Sequence, residues 1–113
     1  NDDSLVRLVE EAAETVDEPV WELPLAARYR KQLDSTVADI KNLGGANAGS
    51  ITAGLFLLEF VGDKPWAHID IAGVADNESD ASWRPPGCTG FGARLLAELA
   101  VGFTADELGK ESR

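Results

Sequence analysis

The residue pattern of this chain predicts an α/β layered fold. Segments with helical apolar spacing alternate with short β-branched and aromatic stretches, and proline or glycine separates them. The chain has 113 residues, 44% of them hydrophobic, which is the size of one domain. No internal repeat or interdomain linker interrupts it. Two or three strands are legible, so the sheet they build has edges that call for further strands.

Leu5, Leu8, Val9, Ala12 and Val16 follow the capping candidates Asp2, Asp3 and Ser4, which predicts an amphipathic helix from Asp3 to Thr15 that Pro19 ends. Val20 to Leu23, held between Pro19 and Pro24, reads as a short extended segment. Leu25 to Leu33 reads as a helix carrying Arg28, Arg30 and Lys31, and Thr36 to Ile40 as a strand. After the glycine-rich run Gly44 to Gly49, the segment Ser50 to Val61 is apolar on nearly every side except at Glu59, which predicts a helix buried on several faces. Trp66 to Ile71 reads as a strand from its β-branched and aromatic content. Phe91, Leu95, Leu99 and Phe103 line one face of a last helix, beyond which Thr104 to Arg113 is a polar tail with a possible capping box at Thr104 and Glu107.

Charge and cysteine content narrow the function. Ten Lys and Arg against twenty Asp and Glu give a net charge of -10, which repels phosphate backbones and anionic lipid, so neither nucleic acid nor membrane is expected as a partner. The apolar run at Leu55 to Leu58 is far short of the about 20 residues a bilayer span needs. The single cysteine, Cys88, excludes an internal disulfide and fits a reducing compartment; with no signal-peptide pattern at Asn1-Asp2-Asp3, the cytoplasm is the expected location.

Several residues invite a chemical reading. His68 and Asp70, two positions apart on the Trp66 to Ile71 segment, project from one strand face and suggest two members of a hydrolytic triad, but no Gly-x-Ser-x-Gly elbow accompanies them and a structural role is expected. Asp39 and Asp70 sit where strands end, and hydrogen bonding to turn backbone is expected of them. Gly44 to Gly49 has the outline of a phosphate loop, but Ser50 and Ile51 stand where its lysine belongs, so the glycines are expected to serve close packing. Cys88, beside Pro85, Pro86 and Gly87, is expected to be a small packing residue rather than a nucleophile.

Four stretches read together go further: Val37-Ala38-Asp39-Ile40-Lys41-Asn42, Gly49 to Phe60, Lys64-Pro65-Trp66-Ala67-His68-Ile69-Asp70-Ile71-Ala72-Gly73-Val74, and Gly87-Cys88-Thr89-Gly90-Phe91-Gly92-Ala93-Arg94-Leu95-Leu96. In order and spacing, from about Asn1 to Phe103, the chain resembles the C-terminal part of the catalytic domain of the leucyl (cytosol) aminopeptidase family. These enzymes use two divalent metal ions, zinc or manganese, to remove N-terminal residues from peptides. The resemblance implies a three-layer α/β/α domain with a mixed sheet, zinc-peptidase-like, to which residues 1–103 contribute the C-terminal segment and 104–113 a tail. It also implies peptide substrates, a homo-hexamer for the full-length protein, and an N-terminal part of the same protein as the partner of this segment.

The family's metal ligands are a lysine and acidic residues upstream of the segment seen here, the last of them in an Asp-x-Asp-Ala-Glu-Gly-Arg motif that this chain lacks. This segment by itself is therefore expected to bind no metal and to be inactive, since a two-metal hydrolase needs several carboxylates converging on the ions. Ala72 and Ala75 match positions that line the pocket for the substrate's first side chain. Small residues there leave room for a leucine-sized group, and they equally permit a turn. Asp76 stands where many relatives carry an aromatic residue, and Asn77 to Pro86 is polar and proline-rich, which leaves substrate preference open. The alternative is a non-catalytic binding or assembly module descended from the family. A start at Asn1 with no methionine anywhere in the chain points to truncation instead.

Overall fold

A computed structural model describes residues 1–78 and 85–104, which form α1 (Asp3–Thr15), a 3-10 helix (Ala27–Leu33), α2 (Gly49–Leu58), β1 (Asp76–Asn77), β2 (Gly87–Cys88) and α3 (Ala93–Gly102). They divide into two compact units. One consists of Asn1 with Glu22–His68; the other joins Asp2–Trp21 to the chain from Ile69 onward.

In the first unit the 3-10 helix packs against α2, around Leu33 and Leu55, both buried. The segment from Leu25 to Leu33 was expected to be a helix; it turns only from Ala27 and winds more tightly. Ala26 offers no capping side chain, and the turn closes through Tyr29 N–H to Ala26 C=O at 2.9 Å, an i to i+3 bond. Asp34 and Glu59 both accept from Arg30, and this ties the end of the 3-10 helix to the end of α2 and keeps the guanidinium charged. α2 runs from Gly49 to Leu58, starting one residue before its predicted start at Ser50 and ending short of Val61, and only Thr52, Gly54 and Leu55 are buried. The expected burial on several faces does not occur, because among the described residues of this unit the 3-10 helix is the element that covers it. Phe60, just beyond, is 68% exposed.

The glycines before α2 serve contact. A side chain added at Gly44 would place its Cβ 2.8–2.9 Å from three atoms of the buried Thr52 side chain, and Gly45 N–H donates to Gln32 Oε1 at 2.8 Å. Gly54 lies against Leu25, as its place on a packed helix predicts. Gly49, by contrast, faces open space. Gly44→Ala is therefore expected to destabilise this unit by about 1–3 kcal/mol, the usual cost of overpacking, seen as a lower urea midpoint with an unchanged slope.

Neither predicted strand forms a ladder among the described residues. Thr36 to Ile40 is a series of bends instead, because the Ser35 hydroxyl accepts from the amides of Val37 (3.2 Å) and Ala38 (3.1 Å) and so takes the donors a ladder would use. Val37 is left 95% exposed. Trp66 to Ile71 is extended but unpaired with any other strand there. Its start is held by Asn1, whose side chain accepts from Trp66 N–H (2.8 Å) and donates to Lys64 C=O (3.0 Å) while its amino group donates to Trp66 C=O (3.1 Å). Val20 to Leu23 likewise carries no ladder.

In the second unit α1 begins as predicted. Asp2 is its N-cap, with Oδ1 accepting from Leu5 N–H at 2.8 Å. Its buried stripe is Ser4, Leu8, Val9, Ala12 and Ala13, and it packs on α3. Val9, Ala13 and Leu95 form the core of this unit, with Val16, Val20, Ile69 and Leu99 against it. α3 runs from Ala93 to Gly102; Phe103 falls outside it and is 41% exposed. Among the described residues the expected sheet is reduced here to one antiparallel pair, Asp76 opposite Cys88 and Asn77 opposite Gly87, at the mouth of the segment read as a polar insert. The capping residue Glu107 and nearly all of the polar tail lie outside the described residues.

Candidate functional site

Two structures at the ends of sequence-distant segments shape the second unit, and the first is the exit of α1. Val16 caps the helix, Asp17 takes a left-handed conformation (φ 55°), and the amides of Asp17 and Glu18 return to Glu14 C=O (3.3 Å) and Ala13 C=O (3.0 Å). This is the paired 5→2 and 6→1 closure of a Schellman motif, made with Asp where Gly is usual. It turns Glu18 inward until only 2% of the residue is exposed.

There the carboxylate meets the start of α3. Gly92, the N-cap (φ 91°), has no side chain to satisfy the first amides. Glu18 Oε2 accepts from Gly92 N–H (3.0 Å) and Leu95 N–H (3.3 Å), and Oε1 from Arg94 Nε (3.3 Å). A carboxylate at a helix N-terminus also faces the positive end of its dipole. Burial pushes the Glu18 carboxyl up, but the two amides and Arg94 together outweigh burial and hold it below its ordinary value of 4.5.

The second structure is the turn from Asp70 to Asp76, which carries Ala72 and Ala75. Asp70 Oδ1 accepts from Ala72 N–H (2.9 Å), and Ile71 C=O accepts from Val74 N–H (2.9 Å). The expectation that Asp70 bonds turn backbone is met. At the far end Thr89, next to β2, reaches across: its N–H donates to Ala75 C=O (2.9 Å), and its hydroxyl to Val74 C=O (2.5 Å) with a longer approach to Ala75 C=O (3.3 Å). The same hydroxyl oxygen accepts from Phe91 N–H at 3.2 Å. Ala72 is exposed and Ala75 half-buried, with Ile71 and Val74 each 40% exposed beside them. The turn thus offers a small-residue, apolar surface and backbone, with no general acid or base among Ile71 to Ala75.

The remaining sequence candidates are placed elsewhere. His68 is exposed and stacked on Trp66, ring centroids 6.1 Å apart, a structural arrangement. Asp39 is exposed in the bend that replaces the first predicted strand. Cys88 was expected to pack and is exposed, since its place in β2 puts it in a two-stranded ribbon too short to bury either face. Asp76 is exposed and pairs with Cys88 in the ladder. A groove of about 340 Å³ lies along Glu10, Ala13, Glu14, Asp17, Pro19 and Val20 and includes none of these candidates. Among the described residues no three His, Cys, Asp or Glu side chains come together as a metal site, and no helix is long and apolar enough to cross a membrane.

Glu18 and Thr89 were not singled out in the sequence. Glu18 bonds residues 74 and 77 positions away, a separation no local pattern reports. Thr89 had a signal, because a hydroxyl residue flanked by Gly87 and Gly90 is free to fold onto neighbouring backbone.

Residues 1–97 match the model for the cytosol aminopeptidase family, catalytic domain. The chain belongs to the cytosol aminopeptidase family. It is 52% identical over 99 residues to a probable cytosol aminopeptidase of Desulfotalea psychrophila, covering 88% of this chain and 20% of that protein. A probable cytosol aminopeptidase of Geobacter sulfurreducens is 51% identical over 98 residues, covering 87% and 20%. Among solved structures, the crystal structure of the cytosol aminopeptidase from Coxiella burnetii superposes with a TM-score of 0.78 at 41% identity, over 90% of this chain and 22% of that one. The fold is that of part of a peptidase catalytic domain, and the chain spans about a fifth of the length of these relatives.

Proposed function

We propose that this chain is the C-terminal part of the catalytic domain of a two-metal aminopeptidase, an enzyme that releases N-terminal amino acids from peptides. In this reading residues 1–103 belong to a three-layer α/β/α domain and 104–113 are a polar tail. The extended segment from Trp66 to Ile71 pairs with strands encoded upstream, and Ala72 and Ala75 form a wall of the pocket for the substrate's first side chain. The observation that carries it is the catalytic-domain match over residues 1–97 in a chain about a fifth as long as its relatives.

Apolar side chains left in water support the same reading. Trp21 is 89% exposed, Leu43 75% and Val101 87%, which is surface of the kind that seeks a partner. The described residues do not fit a two-metal centre: no cluster of ligating side chains forms, His68 stacks on Trp66 and Asp70 holds the amide of Ala72. The metal ligands and the general base are accordingly assigned to the upstream part, and no step of the reaction is assigned to this segment. The full-length partners in this reading are peptide substrates, that upstream part and further copies in a homo-hexamer, in the cytoplasm for which the relatives are named.

The test is hydrolysis of leucine p-nitroanilide with manganese or zinc added. The 113-residue chain alone is expected to give no turnover above the metal blank, and the product of the complete reading frame to give metal-dependent release of nitroaniline. Turnover by the short chain, or none by the complete product, would overturn the proposal.

A further inference from the structure

The Ala72 to Ala75 wall is fastened at both ends by side chains that are not part of it. Asp70 holds its first amide, while Thr89 holds the carbonyls of Val74 and Ala75 and is itself held by the amide of Phe91, next to the N-cap of α3. The two alanines carry no hydrogen-bonding side chain, and a side chain added at the intervening Gly73 would meet nothing within 4 Å. These bonds, with Val74 N–H to Ile71 C=O, hold the turn.

We infer that Thr89 is the positioning residue of the pocket wall: by holding the Val74 carbonyl on a hydroxyl that is braced by Phe91 N–H, beside the Ala75 carbonyl that its own backbone N–H holds, it fixes how far Ala75 stands from Ala72 and so the room for a branched aliphatic first side chain. The inference rests on the proposed function, since it assigns a determinant to that pocket. Thr89 has no contact with reacting atoms in this account and acts through the turn. The hydroxyl gives its one proton to a carbonyl and takes the Phe91 amide on a lone pair, and a methyl group of the same shape satisfies neither partner.

The experiment has two arms, with Thr89→Val as the isosteric loss of the hydroxyl and Thr89→Ser as its rescue. In the 113-residue chain, amide exchange of Phe91 is expected to quicken about tenfold in Thr89→Val, the scale of one lost hydrogen bond, and to return toward the original rate in Thr89→Ser. The amides of α1 serve as the control and keep their protection. In the complete-frame enzyme, Thr89→Val is expected to lower the ratio of kcat/KM for leucine over alanine p-nitroanilide about tenfold, the discrimination a hydrophobic pocket typically supplies. The change falls mainly in KM, and Thr89→Ser restores the ratio.

An unchanged ratio in Thr89→Val, or a Phe91 amide indifferent to the substitution, would overturn the inference. If Thr89→Val also strips protection from α1, the Thr89→Ser ratio decides: a ratio far from wild type counts against the role, and a retained one supports it. A wild-type complete product that cleaves neither substrate sinks the aminopeptidase reading instead, and the exchange arm then judges the Thr89 lock by itself.

Discussion

Glu18→Ala is expected to destabilise the second unit severely, because it leaves the buried amides of Gly92 and Leu95 without acceptors at the same time. Each orphaned amide costs about 1–3 kcal/mol, and Gly92 has no side chain of its own to compensate. The urea midpoint followed by helical circular dichroism should fall sharply, with α3 losing amide protection first. Glu18→Gln keeps one oxygen acceptor and should be milder, and it also removes a titration. Glu18 in the folded chain sits below its ordinary value of 4.5, so its contribution is fully present above that pH and is lost as the pH falls through the lowered folded value. The wild-type midpoint should therefore drop more steeply below about pH 4.5 than that of Glu18→Gln. Parallel pH profiles for the two proteins would show that the carboxylate is not the linked group.

Leu95→Ala should be comparably damaging. Leu95 has no exposed surface and closes the core against Val9 and Ala13, with Val16, Val20, Ile69 and Leu99 around it. Truncation removes the buried methyls and leaves a void between α1 and α3, for which about 2–5 kcal/mol is usual. Leu96→Ala is the internal control: the next residue on the same helix is 54% exposed, so its loss should barely move the midpoint. Similar losses for both would mean that helix propensity, rather than this core, governs α3.

How much of this was legible depends on how local each cause is. α1 could be read to both of its ends because Asp2 and the apolar stripe from Leu8 to Ala12 lie within a few residues of one another. α2 and α3 were likewise legible from spacing, though not how little of α2 is covered. Strands were not legible in the same way, since a strand is defined by what pairs with it. Trp66 to Ile71 has strand composition and extended backbone but no ladder partner among the described residues, and Ser35 diverts the amides that the segment from Thr36 needs. The small ladder of Asp76 and Asn77 with Gly87 and Cys88 hid in residues whose composition argues for a loop.

The candidate site divides similarly. Ala72 and Ala75 came into view through the family resemblance, as alanines have no chemistry to announce. Thr89 acts on residues 14 and 15 positions earlier, and its role needed the turn's geometry. The Schellman exit of α1 was concealed because Asp17 occupies a position where sequence reading looks for glycine.

The pairing of α1 with α3 sets a timetable for the ribosome. One unit is built from a nearly unbroken run, Glu22 to His68, whereas the other joins Asp2–Trp21 to chain that begins only at Ile69. During vectorial synthesis the first unit is complete in sequence while α1 still waits, its apolar stripe unmatched, for Leu95 and the acceptor-hungry amides beside it to emerge. Such a long-range closure is a slow kind of contact to make and leaves sticky surface open meanwhile, so nascent chains stalled before α3 are the form of this polypeptide most in need of a chaperone.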